Sequence, residues 1–167
     1  QEYLQIAADT MSAAGVQAQS AQLANEINHP LLYQFLKMED FPRIVRTARE
    51  VFAKSQPELR FTASVMASNF ADKIAETMDK PKVMEFLDKY QNEIGAVDFV
   101  SVDYYPGMWH FPMKFDTKTS AFPIPRSANP IKEAGNVLNR TFKDTEALRR
   151  VCEKVASWGK DYELGET

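Results

Sequence analysis

Cysteine and histidine are scarce in this chain of 167 residues, which contains one cysteine, Cys152, and two histidines, His29 and His110. A single cysteine excludes a disulfide within the chain. Cys152 lies on the apolar face of a predicted helix, where a small buried side chain is far more common than a catalytic thiol. Two histidines are too few for a histidine-rich metal site.

Long apolar runs and a large net charge are also absent. No apolar run approaches the roughly 20 residues that a membrane-spanning helix needs. The net charge is −3, and basic residues are scattered, with only Arg149 and Arg150 adjacent. These features argue against a nucleic-acid surface and against attraction to an anionic membrane. The six glycines are not grouped as G-x-G-x-x-G or G-x-x-x-x-G-K, which argues against a phosphate-binding glycine loop.

Helical and extended patterns alternate along the chain. Apolar spacing predicts helices over Gln1–Ala14, from Asp40 to Pro57, over Lys82–Tyr90, from Pro130, and from Asp144 or Thr145 to Gly159. Strands are predicted over Val16–Ile27, Arg60–Ala67, Asp98–Tyr105 and Asp161–Thr167. The order α-β-α-β-α-β-α-α-β predicts an α/β fold with a parallel sheet. No repeat or linker interrupts the chain, so we expect residues 1–167 to form a single domain.

Polar and aromatic groups follow three of the four predicted strands. They are Asn25-Glu26 after the first, Tyr104-Tyr105-Pro106 with Trp109-His110 after the third, and Gly165-Glu166-Thr167 at the fourth. In a parallel barrel, residues just past the carboxyl ends of the strands converge on one face. The aromatic, proline-rich stretch Met108–Asn129 is too long for an ordinary connection, which favours a functional loop.

Two facing carboxylates are what glycoside cleavage requires. One gives a proton to the leaving oxygen, and the other, ionised, attacks the anomeric carbon. The negative charge of one raises the pKa of its neighbour, so the pair can hold one proton near neutral pH. Each signal alone has a simpler explanation, since Asn-Glu often begins a turn and Tyr-Tyr-Pro often packs in a core. Glu163 is a competing acid, but strand alternation places it on the opposite face from Glu166.

In combination and in this order, these residues resemble the retaining glycoside hydrolases with a (β/α)8 TIM barrel. In that clan, clan A, the acid follows strand four, an Asn precedes it, and the nucleophile ends strand seven. The chain most resembles the arabinogalactan endo-β-1,4-galactanase family. The matching residues are Val16-Gln17, Gln22-Leu23-Ala24-Asn25-Glu26-Ile27, Leu31-Leu32-Tyr33, Asp98-Phe99-Val100, Tyr104-Tyr105-Pro106, Trp109-His110 and Gly165-Glu166-Thr167.

This resemblance implies an endo-acting, retaining glycosidase of a β-linked polysaccharide such as β-1,4-galactan or arabinogalactan. Glu26 would be the general acid/base and Glu166 the nucleophile, while Asn25 would bond the sugar 2-hydroxyl. Tyr104 or Tyr105 would orient Glu166. Trp109 and His110 would line sugar subsites. The mechanism implies no metal and no redox cofactor, and the expected partner is a polysaccharide or oligosaccharide.

A complete barrel of this kind runs to about 250 residues, so four strands are expected to be strands four to seven of an incomplete barrel. The missing remainder would then be a partner of this piece. The chain begins at Gln1 without a signal peptide, which fits a processed or excised chain. The sequon Asn139-Arg140-Thr141 favours a secreted parent. Two alternatives stay open: a non-catalytic carbohydrate-binding or interaction protein on a degenerate barrel fragment, and an α/β enzyme with a flavodoxin-like open sheet.

Overall fold

Strands and helices alternate through the part of the chain that the structure, a computed structural model, describes. It describes the backbone of residues 2–29, 36–104 and 130–165, and their side chains other than those of residues 69, 70, 73, 74, 130–142 and 144. The strands are β1 (Ser20–Ala24), β2 (Arg60–Met66), β3 (Phe99–Asp103) and β4 (Asp161–Leu164). The helices are α1 (Glu2–Ala13), α2 (Phe41–Phe52), α3 (Asn69–Thr77), α4 (Val83–Lys89), α5 (Gln91–Ile94) and α6 (Pro130–Ser157). A 3-10 turn, Met38–Asp40, leads into α2.

The four strands form one sheet in the order β1-β2-β3-β4, and every neighbouring pair is parallel. The predicted α/β fold with a parallel sheet is confirmed. Because strands that neighbour in sequence also neighbour in space, each crossover moves the chain one strand further in the same direction. With right-handed crossovers, all connecting helices then lie on one face of the sheet.

The helix-covered face of the sheet is apolar. Ala63 and Val65 of β2 stand beside Val100 and Val102 of β3, and all four are fully buried. Side chains of three helices belong to the same core cluster: Phe41 and Val45 of α2, Phe86 and Leu87 of α4, and Val151 and Val155 of α6. Each fully buried Val, Leu or Phe side chain contributes roughly 1.5–3 kcal/mol, so this face holds the layers together.

The other face of the sheet is polar. The alternate residues of β2 and β3 that point to it include Thr62, Ser64, Ser101 and Asp103, each of them buried. Strand alternation therefore separates an apolar helix-facing side from a polar side within the same two strands. Asp103, one of these polar residues, is the last residue of β3 and lies at the carboxyl end of that strand.

The first strand is shorter and more exposed than its sequence predicts. The expected buried strand Val16–Ile27 is reduced to β1, whose residues alternate between exposed and half-buried. The reason is its place in the described sheet, where it pairs only with β2. The register between the two strands also shifts between Gln22 and Ala24, which ends regular pairing early.

Two helix predictions are wrong in extent. No helix was expected between Ala67 and Lys82, where α3 lies, and the two expected C-terminal helices are the single helix α6. Asp144 and Thr145 resemble caps, but a capping residue does not break a helix when no proline interrupts it. Asp40 does hold the N-cap position of α2, yet its carboxylate makes no capping bond and pairs with Arg43 at 2.9 Å.

Candidate active site

The Asn25-Glu26 pair lies directly after β1, at the carboxyl edge of the sheet. Asn25 is exposed and Glu26 is half-buried. Glu26 adopts a left-handed backbone conformation, with φ of 44°. That conformation costs a residue with a β-carbon about 1–2 kcal/mol, so neighbouring contacts must hold it in place.

Ser64 of β2 provides one of those contacts. Its Oγ accepts a hydrogen bond from the Glu26 amide at 2.7 Å. Since that lone pair is occupied by a donor, the hydroxyl hydrogen of Ser64 is available for the Asn25 carbonyl oxygen Oδ1, 3.1 Å away. Asn25 Oδ1 also accepts from Gln22 Nε2 at 2.7 Å. Both bonds use the oxygen of the Asn25 amide, so neither of them uses its NH₂ group.

Asn28 provides the second set of contacts. Its side-chain Nδ2 donates to the Met66 carbonyl at 2.9 Å, and its Oδ1 accepts from the Met66 amide at 2.7 Å. The Asn28 side chain thus makes the two hydrogen bonds to β2 that backbone groups would make in regular strand pairing, just after β1 has ended. Between these two contacts, the Ile27 amide donates to the Ser64 carbonyl at 2.9 Å.

The ends of β3 and β4 bring a buried carboxylate to the same edge. Asp103 is 1% exposed, and its carbonyl accepts from the Ala67 amide at 2.9 Å, which ties β3 to the end of β2. Gly165 continues the line of β4 and donates its amide to the Val102 carbonyl at 3.0 Å. A β-carbon on Gly165 would overlap with the Asp103 carboxylate and the Ser101 hydroxyl, so only glycine permits this close approach.

The sequence analysis did not single out Ser64, Asn28 or Asp103. A signal for Ser64 and Asp103 was present, because Ser64 alternates with Ala63 and Val65, and Asp103 follows Val102 in the same alternating pattern of the next predicted strand. Polar residues at every second position of such a strand indicate a polar face. Asn28 gave no signal, since its role depends on where β1 stops.

Tyr104 follows β3 at the same edge, and its hydroxyl lies 2.9 Å from the Thr145 hydroxyl of α6. That contact directs Tyr104 toward the helix layer. The other predicted site residues Glu166, Tyr105, Trp109 and His110 lie outside the described residues, and so does the whole Met108–Asn129 stretch. The structure therefore brings Asn25, Glu26 and Tyr104 to one edge, and the two-carboxylate hypothesis stays a prediction.

Glu163, the competing acid on β4, is in register with Ser101. It consequently shares the polar face with Ser64 and Asp103, while its side chain is exposed. Side chains alternate over the described part of β4, since Tyr162 and Leu164 are in register with Val100 and Val102 of the helix-covered face. The same alternation places Glu163 on the polar face, so it gives no reason to prefer Glu166, which lies outside the described residues, over Glu163.

Residues 25–28, which follow β1, are called the Glu26 turn. His29 comes directly after this turn, and its amide donates to the Glu26 carbonyl at 2.7 Å. Partial burial lowers the pKa of His29 from its ordinary value of 6.5, because desolvation disfavours the charged imidazolium. Burial also raises the pKa of the Cys152 thiol, which favours the protonated thiol expected of a packing residue.

A separate open groove of about 640 Å³ lies at the amino ends of β2 and β3. It is lined by Arg49, Gln56, Arg60 and Asp98, among others. Ligands of parallel α/β sheets bind at the carboxyl ends of the strands, so this groove is not the expected site. Among the described residues, no three His, Cys, Asp or Glu side chains are grouped as metal ligands. No helix in the same part of the chain is long and apolar enough to span a membrane.

Comparison with known proteins adds no assignment. No protein-family model matches the chain, and no curated protein matches it.

Proposed function

We propose that this chain is part of a retaining glycoside hydrolase of the (β/α)8-barrel type, acting on a β-linked polysaccharide such as β-1,4-galactan. The observation that carries the proposal is the Glu26 turn. An Asn-Glu pair directly past a parallel strand is held by hydrogen bonds from the next strand, at the edge where such enzymes bind substrate. A glutamate held in a strained backbone conformation fits a functional role better than a surface turn.

The strand order supports a barrel segment over the flavodoxin-like alternative. In doubly wound sheets the order reverses at a switch point, as in 2-1-3-4-5. The described order β1-β2-β3-β4 has no reversal, which is the pattern of consecutive strands in a (β/α)8 barrel. Under the proposal these are strands four to seven, and the polar face would line the barrel interior.

The proposed chemistry needs two carboxylates and a sugar-orienting amide. Glu26 would protonate the leaving oxygen and later take a proton from water, while Glu166 would attack the anomeric carbon. Asn25 would donate its NH₂ group to the sugar 2-hydroxyl, consistent with an Oδ1 that already accepts two hydrogen bonds. The Tyr104 hydroxyl is hydrogen-bonded to the Thr145 hydroxyl, so we assign the role of orienting Glu166 to Tyr105. Trp109 and His110 would contact the sugar.

The test is hydrolysis of β-1,4-galactan by the full-length protein that contains this chain, with the anomeric form of the first product followed by proton NMR. We expect the β-anomer to form first. Glu26→Gln should lower kcat by about 10²–10⁴-fold, the usual contribution of a general acid. Glu166→Gln should abolish turnover, whereas Glu163→Gln should leave most of it.

Three outcomes would contradict parts of this proposal. A loss of activity with Glu163→Gln but not with Glu166→Gln would make Glu163 the nucleophile. Initial formation of the inverted anomer would exclude a covalent glycosyl-enzyme intermediate. Binding of galactan without hydrolysis, unchanged by Glu26→Gln, would favour the non-catalytic carbohydrate-binding alternative.

A further inference from the structure

Strand β2 holds the Glu26 turn through several hydrogen bonds. Ser64 and Met66 of β2 make hydrogen bonds to Asn25, Glu26, Ile27 and Asn28. Four of these bonds involve two side chains that no regular strand pairing requires, the Ser64 hydroxyl and the Asn28 amide. Both side chains are buried, at 0% and 2% exposure.

We propose that Ser64 and Asn28 are positioning residues that hold Glu26 in its left-handed conformation and thereby fix where its carboxylate stands. The inference rests on the proposed function for its catalytic consequence. Neither residue is assigned contact with substrate.

Ser64 acts on both residues of the pair at once. Its Oγ accepts a hydrogen bond from the Glu26 amide at 2.7 Å, and its hydroxyl donates one to Asn25 Oδ1 at 3.1 Å. A single hydroxyl therefore couples the backbone of the proposed acid to the side chain of the proposed sugar-binding amide. Without the Ser64 hydroxyl, the Glu26 amide loses this hydrogen-bond acceptor. The turn then lacks one of the bonds that keep φ of Glu26 positive against the general preference for negative φ.

Asn28 acts from the other side of the turn. Its amide closes two hydrogen bonds on the Met66 backbone, so the chain on both sides of Glu26 is attached to β2. Since the end of β1 and Asn28 are both fixed, the three residues between them, Asn25, Glu26 and Ile27, have little freedom to relax. The strained conformation persists because both of its ends are anchored.

The experiment compares Ser64→Ala with a matched control, Thr62→Val, in the full-length protein. Thr62 lies on the same strand and face, is equally buried, and places its hydroxyl 3.4 Å from the Ala63 carbonyl of its own strand. Each substitution removes one buried hydroxyl and no charge. The two readouts are amide hydrogen exchange at Glu26, followed by NMR, and the separate values of kcat and KM for β-1,4-galactan.

In Ser64→Ala we expect the Glu26 amide to exchange at least about 10-fold faster, because it has lost its acceptor. We expect kcat to fall by about 10- to 100-fold with KM within about two-fold, as for a displaced catalytic group. Thr62→Val should change neither readout. Asn28→Ala should accelerate exchange at Ile27 as well as at Glu26, because the second anchor is lost.

Exchange at Glu26 that is the same in Ser64→Ala and Thr62→Val would overturn the inference. So would faster exchange with an unchanged kcat, since the turn would then be loosened without consequence for catalysis. A wild-type protein without hydrolase activity would overturn the proposed function instead. In that case the exchange measurements would still decide whether Ser64 and Asn28 hold the turn.

Discussion

Glu26 combines a side chain suited to proton transfer with a backbone conformation that most residues avoid. The strain is local, and β2 supports it through the hydrogen bond between the Glu26 amide and Ser64 Oγ. A single residue can therefore stay in an unfavourable region when the sheet beside it supplies enough hydrogen bonds. His29 is tied to this same turn, because its backbone amide donates to the Glu26 carbonyl.

The pH dependence of stability should report on His29. Its pKa in the folded protein lies below the ordinary value of 6.5, so the folded state binds fewer protons than the unfolded state between those two values. Stability should consequently rise with pH in that window, and be lost as pH falls from about 6.5 toward the lowered pKa. We expect urea unfolding of the wild type to show this loss and His29→Gln to lack it. An identical pH profile in both proteins would contradict the prediction.

At the scale of elements, Asp98 links α2 to the amino ends of β2 and β3. Its Oδ1 accepts from Arg49 Nη2 at 2.7 Å, and its Oδ2 accepts from the buried Phe61 amide at 2.7 Å. These two bonds are not equivalent. The Arg49 pair is about half exposed, whereas the Phe61 residue is 2% exposed.

Asp98→Ala should therefore cost far more stability than Arg49→Ala, although both break the same ion pair. The first leaves the Phe61 amide without its charged acceptor, at about 2–3 kcal/mol. The second removes a solvent-screened pair worth less than about 1 kcal/mol. Urea unfolding with a common m-value gives both numbers. Equal losses in the two variants would show that the ion pair, rather than the backbone bond, dominates.

Sequence patterns predicted some elements well and others poorly, for identifiable reasons. The helix expected from Asp40 is confirmed as α2, in which Phe41, Val45, Ala48 and Phe52 recur at helical spacing and are all buried. The helix α3 was missed because its buried positions Ala71 and Ala75 are small and give a weak apolar signal. The division of α6 was wrong because cap-like residues within a helix compete with it without ending it.

At the scale of the whole molecule, β4 is the strand that tests the barrel proposal. Leu164 is 53% exposed, although it is in register with the fully buried Val102 on the helix-covered face. In a complete barrel the next strand and helix would cover this position. Leu164 would then be exposed in these 167 residues but buried in the complete barrel.

In the full-length protein we therefore expect Leu164→Ala to cost about 2–5 kcal/mol, as for a buried leucine. Val102→Ala, its neighbour on the central strand, is the control and should cost about 2–3 kcal/mol in any case. A loss below about 1 kcal/mol for Leu164→Ala beside a large loss for Val102→Ala would mean that the sheet ends at β4.

The sequence by itself determined the class of the fold, since strand and helix periods depend on neighbouring residues and survive without tertiary contacts. It also predicted Asn25 and Glu26 near the carboxyl end of the first strand, which the structure ends at Ala24. Only the tertiary structure decided that Ser64 and Asn28 hold that pair, that Asp103 is buried at the same edge, and that Tyr104 faces α6. Each of these depends on strand register and on where β1 stops. Register is a property of two strands that lie about 40 residues apart in the chain, and no local pattern encodes it.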